Sequence, residues 1–382
     1  MNKLITILII ILIGGCKNKE VHENVVTVNI DLEKVDKESM EDWFDCIELI
    51  PLELTENSLI KEVFKMTKFN NSYYLYDGWQ HVGFEFDSIG NFVNTTNILR
   101  GNGPDEFVSF LDFDIDQTNG NWHILDHVSK KIRMYNKKLL PIGSYDIDEN
   151  IFPAQYFKLL KDGIYVFYTS SANKGDYILK FYDSANEKII KKQLPVVFEQ
   201  AEYLPNVIFS PFYEFDGKLF FTEKYPNNDV YNIDLINISA EKCLQYDFKE
   251  HTFNLEDLEN VNSDNGNEYI KYMDTSNKGF IFNKCENEQN YFISVYYNHY
   301  IYIIKHDKIT GENKAMLNDY SKQGSLGRPI YLDDDYYYSV VDTENIKLLV
   351  DYNLLTDNAR GVLLKIKDDD NPIIIKYKLK KR

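Results

Sequence analysis

Short runs of aromatic and aliphatic residues, each ended by a polar turn residue, recur along the chain. In the clearest copy, residues 73–76 form an apolar run that ends at Asp77, and residues 82–86 form a second run that ends at Asp87. Residues 88–91 then turn the chain into a third run. Aromatic runs of this length, bounded by Asp, Asn, Ser and Gly, are typical of β-strands, so the pattern predicts an antiparallel meander.

The same pair of strands returns along the rest of the chain. The further copies are 122–126 with 130–136, 164–170 with 177–183, 218–223 with 229–234, and 291–297 with 300–307. One residue marks the end of the second strand in each of six units: Phe86, Tyr135, Tyr182, Ile233, His306 and Tyr377. The first four are separated by roughly 50 residues, the range in which four-stranded propeller blades repeat, and the last two steps of roughly 70 residues leave room for insertions of about 20. The spacing predicts an all-β fold, a six-bladed β-propeller.

The longest interruption of the pattern, residues 249–279, predicts a small helical insertion between blades four and five. Residues 254–258 begin with Asn and contain acidic residues that suit a helix N-terminus. Residues 268–276 place Tyr269, Tyr272 and Met273 on one side of a second helix. The insertion is either a lid packed on the rim of the propeller or a lid that shapes a ligand site.

Two strand patterns precede the first blade, at residues 25–30 and 47–54, and Pro51 marks the second as an edge or bulged strand. A closed ring needs its first and last blades joined. We therefore expect this N-terminal strand to pair into the C-terminal blade, which removes the free sheet edges.

The first fifteen residues are predicted to be a signal peptide. Lys3 precedes a run over residues 4–13 that is apolar except for Thr6, and about ten residues are too few to span a bilayer, which needs ~20. Residues 13–16 (IGGC) are similar to a bacterial lipobox, which implies cleavage before Cys16 and lipid attachment to its thiol; the alternative is an ordinary secreted protein. We expect residues 1–15 to be removed, residues 16–24 to be a tether, and residues 25–382 to form the propeller. The predicted location is the outer membrane, with the propeller periplasmic or surface-exposed.

Charge and cysteine content narrow the classes of partner and site. The formal net charge is −18, which repels phosphate backbones, so we expect no nucleic-acid partner. The other cysteines, Cys46, Cys243 and Cys285, are far apart and without zinc-site spacing. They are expected to be buried free thiols, with one disulfide as the alternative. No motif predicts a cofactor, and we expect a monomer.

Several stretches in a fixed order resemble a known family. These are IPLELTENSLI (50–60), RGNGPDEF (100–107) followed by FDID (113–116), NNDVYNID (227–234) and DDDNPIIIKYKLK (368–380). They are similar to the six-bladed β-propeller lipoproteins of Bacteroidetes, which are related in shape to NHL-type propellers. Asp105 departs from the more usual GPGE of that family. The resemblance implies the propeller fold and an envelope location, whereas the family has no single established activity.

The loop between predicted blades one and two holds three candidate ligand-binding residues, Arg100, Asp105 and Glu106. Residues 101–106 begin like a dinucleotide-binding loop, but Glu106 occupies the place of the third glycine and no helix pattern follows. Because the first strand of each blade lines the channel of a propeller, we expect this connection at the channel mouth. Arg328, just before the strand region 331–338, is the fourth candidate. The alternatives are a purely structural turn and, for Arg328, an intramolecular ion pair.

Neither of two further clusters predicts a metal site. Asp112, Asp114 and Asp116 match the opening spacing of a calcium loop, but residues 117 and 123 are not its glycine and glutamate. His123 and His127 would share a face only on a helix, whereas this stretch is predicted to be a strand and a turn.

Two classes of function remain open. One is a binding or scaffold module on the cell surface, which recognises a glycan or a partner protein. The other is an enzyme that acts in the central channel, a lactonase-like hydrolase or a polysaccharide lyase, because propellers host such sites on one face.

Overall fold

The strands of this chain pair into six separate sheets. The structure, a computed structural model, describes residues 25–161, 163–169, 175–196, 210–223, 227–254, 256–257, 261, 266–319 and 324–381. The predicted signal peptide and the tether with Cys16 lie outside these residues. Four elements precede the first complete sheet: β1 (Val26–Asn29), β2 (Asp36–Lys37), α1 (Met40–Trp43) and β3 (Phe44–Pro51).

Blades one, two and three are four-stranded antiparallel meanders. Blade one contains β4 (Val63–Phe69), β5 (Ser72–Asp77), β6 (Val82–Phe86) and β7 (Phe92–Thr95). Blade two contains β8 (Phe110–Ile115), β9 (Trp122–Asp126), β10 (Lys131–Tyr135) and β11 (Pro141–Asp146). Blade three contains β12 (Tyr156–Lys161), β13 (Ile164–Tyr168), β14 (Tyr177–Asp183) and β15 (Lys188–Pro195).

Blades four and five each gain a fifth strand from the N-terminal segment. Blade four contains β16 (Phe212–Phe215), β17 (Lys218–Phe221), β18 (Asp229–Asp234) and β19 (Ser239–Asp247). Blade five contains β20 (Phe280–Glu286), β21 (Asn290–Tyr297), β22 (Tyr300–Asp307) and β23 (Asn313–Asn318). β1 pairs in parallel with β19, and β2 pairs in parallel with β23. The predicted strand at 25–30 therefore covers the outer edge of blade four.

Blade six joins the two ends of the chain. It contains β24 (Tyr331–Leu332), β25 (Tyr336–Val341) and β26 (Ile373–Leu379), and its outer strand is β3. β3 pairs antiparallel with β26, from Pro51 opposite Ile373 to Phe44 opposite Leu379. The predicted closure of the ring by an N-terminal strand is confirmed, as is the six-bladed all-β fold.

Two helical insertions account for the longer repeats. α2 (Gly266–Thr275) lies between blades four and five as predicted, while residues 255 and 258 of the predicted first helix lie outside the described residues. The second insertion, between β25 and β26, contains α3 (Asp357–Leu363), which the sequence analysis did not predict. Thr356 caps α3 by accepting a hydrogen bond from the amide of Ala359, a buried helix residue. A helix of seven residues with one buried residue shows little of the hydrophobic periodicity by which a helix is predicted.

Apolar side chains fill the seams between neighbouring blades. Each of six core clusters combines residues of two adjacent sheets. At the first seam, the rings of Tyr74 and Trp122 are 5.1 Å apart in an edge-to-face arrangement. At the last seam, Ile374 and Tyr338 of blade six share a cluster with Leu75 and Phe84 of blade one. The second strands of the first three blades are buried on both faces. Aromatic and aliphatic residues therefore occupy most of their positions, which is the pattern that the sequence displays.

Truncation tests the closure of the ring. We expect a chain that begins at residue 55 to aggregate or remain unfolded, because it lacks β3 and leaves β26 as a free edge. A chain that begins at residue 38 is the control, since it loses β1 and β2 but keeps β3. It should fold with a lower urea midpoint. Size-exclusion chromatography and urea unfolding measure both, and a soluble, cooperatively unfolding chain from residue 55 would contradict the role of β3.

Candidate functional site

The first strands of the blades surround a narrow polar channel of about 130 Å³. Four lysines from three blades line it: Lys65, Lys68, Lys158 and Lys284. Carboxylates and hydroxyl groups accompany them, among them Glu214, Glu286, Tyr213 and Tyr331. The chain has a net charge of −18, so four lysines at the axis are a local concentration of positive charge.

Buried ion pairs join blades one, two and three beside the channel. Lys65 of β4 donates to Asp112 of β8 at 2.8 Å, with side-chain exposures of 7% and 1%. The second oxygen of Asp112 accepts a hydrogen bond from the amide of Phe157 on β12. Burial raises the pKa of the Asp112 carboxyl, and the Lys65 ammonium opposes this shift. Asp112 therefore connects three consecutive blades.

Lys158 of β12 makes a similar connection one seam further on. Its Nζ lies 2.8 Å from Asp114 of blade two and 2.6 Å from Glu214 of blade four. Burial disfavours the ammonium, but the two carboxylates outweigh burial and hold the pKa of Lys158 well above its ordinary value. Asp112 and Asp114 are two residues apart on β8 and so share one side of the strand. Both aspartates are ion-paired to lysines.

Polar contacts also cross the remaining seams. Between blades four and five, Tyr213 donates to Glu286 at 2.9 Å. Between blades five and six, Asn283 donates to the carbonyl of Pro329 at 2.9 Å. Between blades six and one, Lys68 donates to Asp333 at 2.9 Å. Together with the lysine–carboxylate pairs, these contacts form an interblade belt that crosses all six seams close to the axis.

Lys284 of β20 differs from the other channel lysines. Its side chain is buried at 5% exposure, and its Nζ donates to the backbone carbonyl of Asp229 at 2.9 Å. Burial lowers the pKa of this amine to about 7, although the carboxylates of Asp229 and Glu223 act in the opposite direction. A single lysine inside a strand matches no sequence motif, so the sequence analysis could not identify Lys284 as a site residue.

A larger cavity of about 540 Å³ adjoins the channel and shares Gln117 and Glu214 with it. Three blades build its wall through the hairpins that follow β8, β12 and β16: Asp116, Thr118, Asn119, Lys161, Gly163, Gly217 and Lys218. Tyr145 adds aromatic surface, and its ring centre lies 6.4 Å from that of the fully buried Tyr165. His123 lies within 2.9 Å of the Tyr165 hydroxyl, and burial lowers the pKa of its imidazole, which favours the neutral ring.

The family of the chain follows from its sequence match. A family model described as a domain of unknown function, DUF4934, matches residues 24–378. The chain belongs to the DUF4934 family. The resemblance to six-bladed propellers of Bacteroidetes inferred from the sequence is thereby confirmed, and this DUF4934 match leaves the activity open.

A solved structure has the same fold, and two others show weaker similarity. A Bacteroides fragilis protein described as exported is 19% identical, has a TM-score of 0.72, and the match covers 94% of this chain and 100% of that one. A DUF4221 member from Bacteroides vulgatus is 10% identical with a TM-score of 0.49, over 88% and 99%. Virginiamycin B lyase of Staphylococcus aureus is 11% identical with a TM-score of 0.38, over 74% and 76%. The last two likenesses are too weak to carry an argument. The comparison of this DUF4934 protein with curated proteins gave no match.

The predicted ligand loop of this DUF4934 protein lies at the other end of the blades from the cavity. It precedes β8, whereas the cavity hairpin Asp116–Asn119 follows the end of β8. Arg100 donates to the carbonyls of Gln80 and His81 in the turn between β5 and β6.

The loop is held together by its own groups. Glu106 accepts from the amide of Gly103 at 2.8 Å, and a Cβ at Gly101 would lie only 1.8 Å from the Glu106 carboxylate. The glycines of the motif thus make room for this side chain. Asp105 is exposed, and its carbonyl accepts from Tyr135 at 2.9 Å.

Arg328 is half-buried beside Pro329, which lines the channel, and its carbonyl accepts from Ser339. A ligand-binding role for Arg100, Asp105, Glu106 and Arg328 stays a prediction. Cys46, Cys243 and Cys285 are half-buried, whereas the sequence analysis expected buried thiols. Cys46 and Cys285 are free, and the Cys243 thiol donates to the carbonyl of Val230 at 3.4 Å. Within the described ranges, no group of three or more His, Cys, Asp or Glu side chains is arranged to hold a metal ion.

Substitution at the first seam tests the interblade belt. We expect Lys65→Met to destabilise the protein by about 3–5 kcal/mol, because Asp112 would remain as a buried charge without its cation. The control Lys131→Met breaks an ion pair with Asp146 whose side chains are 31% and 67% exposed, and should cost less than about 1 kcal/mol. Urea unfolding measures both. Equal losses in the two variants would show that the belt adds no more than a surface pair.

Proposed function

We propose that this DUF4934 protein is an envelope-anchored binding module that holds a small polar ligand, such as a glycan fragment, in the cavity between blades two, three and four. The single observation that carries the proposal is the cavity of about 540 Å³. Ligand pockets commonly have volumes of ~300–1,000 Å³. The channel of about 130 Å³ is below this range.

The chemistry of the cavity wall suits a ligand with many hydroxyl groups. Gln117, Asn119 and Glu214 offer hydrogen-bond donors and acceptors on polar side chains, and the half-buried Tyr145 offers an apolar ring face. Lys161 and Lys218 are exposed at the mouth. Hairpins of three neighbouring blades carry these groups, and groups that the fold already positions lower the ordering cost of binding.

A second candidate function, docking of a partner protein, is favoured by one observation on the opposite face. Trp79, Ile98 and Val128 are 66%, 66% and 61% exposed there. The contact of Arg100 with Gln80 and His81 places the predicted ligand loop beside Trp79. Exposed aromatic and aliphatic groups next to an arginine are typical of protein interfaces.

The envelope location rests on the N-terminal sequence and on the export of a structural relative. An apolar run over residues 4–13 precedes Cys16, and the B. fragilis protein with the same fold is described as exported. Among the helices that the structure describes, none is long and apolar enough to cross a membrane.

Fatty-acid labelling tests the anchor. We expect labelled palmitate to be incorporated into the wild type and not into Cys16→Ser, because the acceptor thiol is lost. Cys46→Ser is the matched control and should keep the label, since Cys46 lies in β3 within the propeller. Equal labelling of wild type and Cys16→Ser would end the proposal of a lipid anchor.

A binding screen with glycans and metabolites, performed on a soluble chain beginning after Cys16, tests the cavity. For a ligand found in the screen, we expect Lys218→Ala to weaken binding about tenfold or more, the loss expected for a hydrogen bond from a charged group. Lys138→Ala, an exposed turn lysine outside the cavity wall, should leave affinity unchanged.

Variants at the other face separate the two candidates. If Arg100→Ala or Glu106→Ala weakens binding with little change in melting temperature, while Lys218→Ala has no effect, the ligand binds at the interblade loops instead. Chemical conversion of a screened compound by the wild type would favour the alternative of a hydrolase or lyase.

A further inference from the structure

Within the described part of the chain, Lys284 is a channel amine without a carboxylate partner. Lys65, Lys68 and Lys158 each have a carboxylate oxygen within 2.9 Å. Among the residues that the structure describes, no carboxylate oxygen lies within 4.0 Å of the Lys284 Nζ, which donates to the carbonyl of Asp229 at 2.9 Å. The Asp229 carboxylate is instead paired with Lys242 at 2.8 Å.

This environment favours the uncharged form of the amine. An ordinary lysine is almost wholly protonated at neutral pH, with a pKa of about 10.4. Burial lowers the pKa of Lys284 to about 7, against the opposing effects of Asp229 and Glu223. Near pH 7 a large share of the molecules therefore carries a free lone pair on Nζ, the state in which a lysine acts as a nucleophile toward carbonyl compounds.

We propose that Lys284 is a nucleophilic site that forms a reversible imine with a small aldehyde or ketone in the central channel. The geometry carries the proposal: a buried amine on the channel wall, held by one backbone carbonyl and by no salt bridge within the described residues. The channel volume of about 130 Å³ limits the reacting carbonyl compound, or the part of it that enters, to a few heavy atoms.

The reaction needs no further reagent. The Nζ lone pair attacks the carbonyl carbon, and a proton moves from nitrogen to oxygen to give a carbinolamine. Loss of water then leaves a C=N bond, so amine and carbonyl compound are converted into imine and water without oxidation or reduction. Hydrolysis restores both, and the site therefore acts by itself as a covalent, reversible binder.

The competing explanation is a structural cation that holds blades four and five together through Asp229. Borohydride trapping separates the two. The expressed full-length protein is incubated at pH 7 with glycolaldehyde or with pyruvate, the imine is reduced to a stable secondary amine, and peptide mass spectrometry locates the product. We expect Lys284 to be modified at least tenfold more than the average surface lysine.

Lys305 provides the matched control. Burial also lowers the pKa of Lys305, but its Nζ lies 3.7 Å from the Glu38 carboxylate and it does not line the channel. Lys305→Met should therefore keep the labelling at Lys284. In the wild type, trapping at Lys284 should rise with pH to half its maximum near pH 7, following the pKa of its amine.

Two further variants complete the test. Lys284→Met and Lys284→Arg should both lack the trapped peptide, and Lys284→Arg keeps a cation for the Asp229 carbonyl if the methionine variant does not fold. Uniform labelling of surface lysines, or an unmodified Lys284 in folded wild type with both probes, would overturn the proposal and leave the structural explanation.

Discussion

Pairing of β3 with β26 is the constraint on which the rest of the structure depends. Each blade buries its two faces only against its neighbours, so an open ring would leave one face of blade six and one face of blade one in water. The outer strand of blade six comes from the start of the chain, which ties both ends of the chain into one sheet. Ile50 and Ile374 from this pairing then pack with Leu75 of blade one. Pairing β3 with β26 closes a loop that contains nearly the whole propeller, and this costs chain entropy once. Apolar packing at six seams offsets that cost.

The interblade belt adds specificity to a ring that apolar packing already holds together. A buried ion pair is weak evidence for stability, because desolvation offsets much of the attraction. Cation–π contacts of the lysine ammonium groups offset part of this cost: the Lys65 Nζ lies 5.1 Å from the ring centre of Phe113, and the Lys68 Nζ lies 4.7 Å from that of Tyr338. Each pair also requires a particular neighbour, since Asp112 fits only where Lys65 and the Phe157 amide meet. The belt therefore fixes how the blades are aligned around the axis.

The fold could be predicted from sequence because the strand pairs are local in the chain and repeat. The site could not be predicted, because its residues come from different blades and are brought together only by the folded ring. Runs such as 73–76 followed by 82–86 predict a strand pair within twenty residues of chain. Both faces of these strands are buried, which favours aromatic residues. Lys158 and Glu214, in contrast, are 56 residues apart in the chain and meet only where blade three packs against blade four. Arg100 and Glu106 drew attention through a glycine-rich motif, which the structure explains as room for the Glu106 carboxylate. α3 was missed because a seven-residue helix has almost no period to detect.

The cavity and the channel meet at Glu214, and this links ligand binding to the ring itself. The Glu214 side chain is 49% exposed, lines both spaces, and neutralises the buried Lys158 at 2.6 Å. A ligand that donates a hydrogen bond to this carboxylate while it stays paired stabilises the folded state by mass action. A ligand that draws the carboxylate away from Lys158 leaves Asp114 as the remaining anion of a buried ammonium, which is costly. We therefore expect the cavity to bind ligands that leave the Lys158–Glu214 pair intact more tightly than ligands that break it. A hydroxyl group donates to Glu214 while the pair stays intact, whereas a second cation competes with Lys158 for the carboxylate.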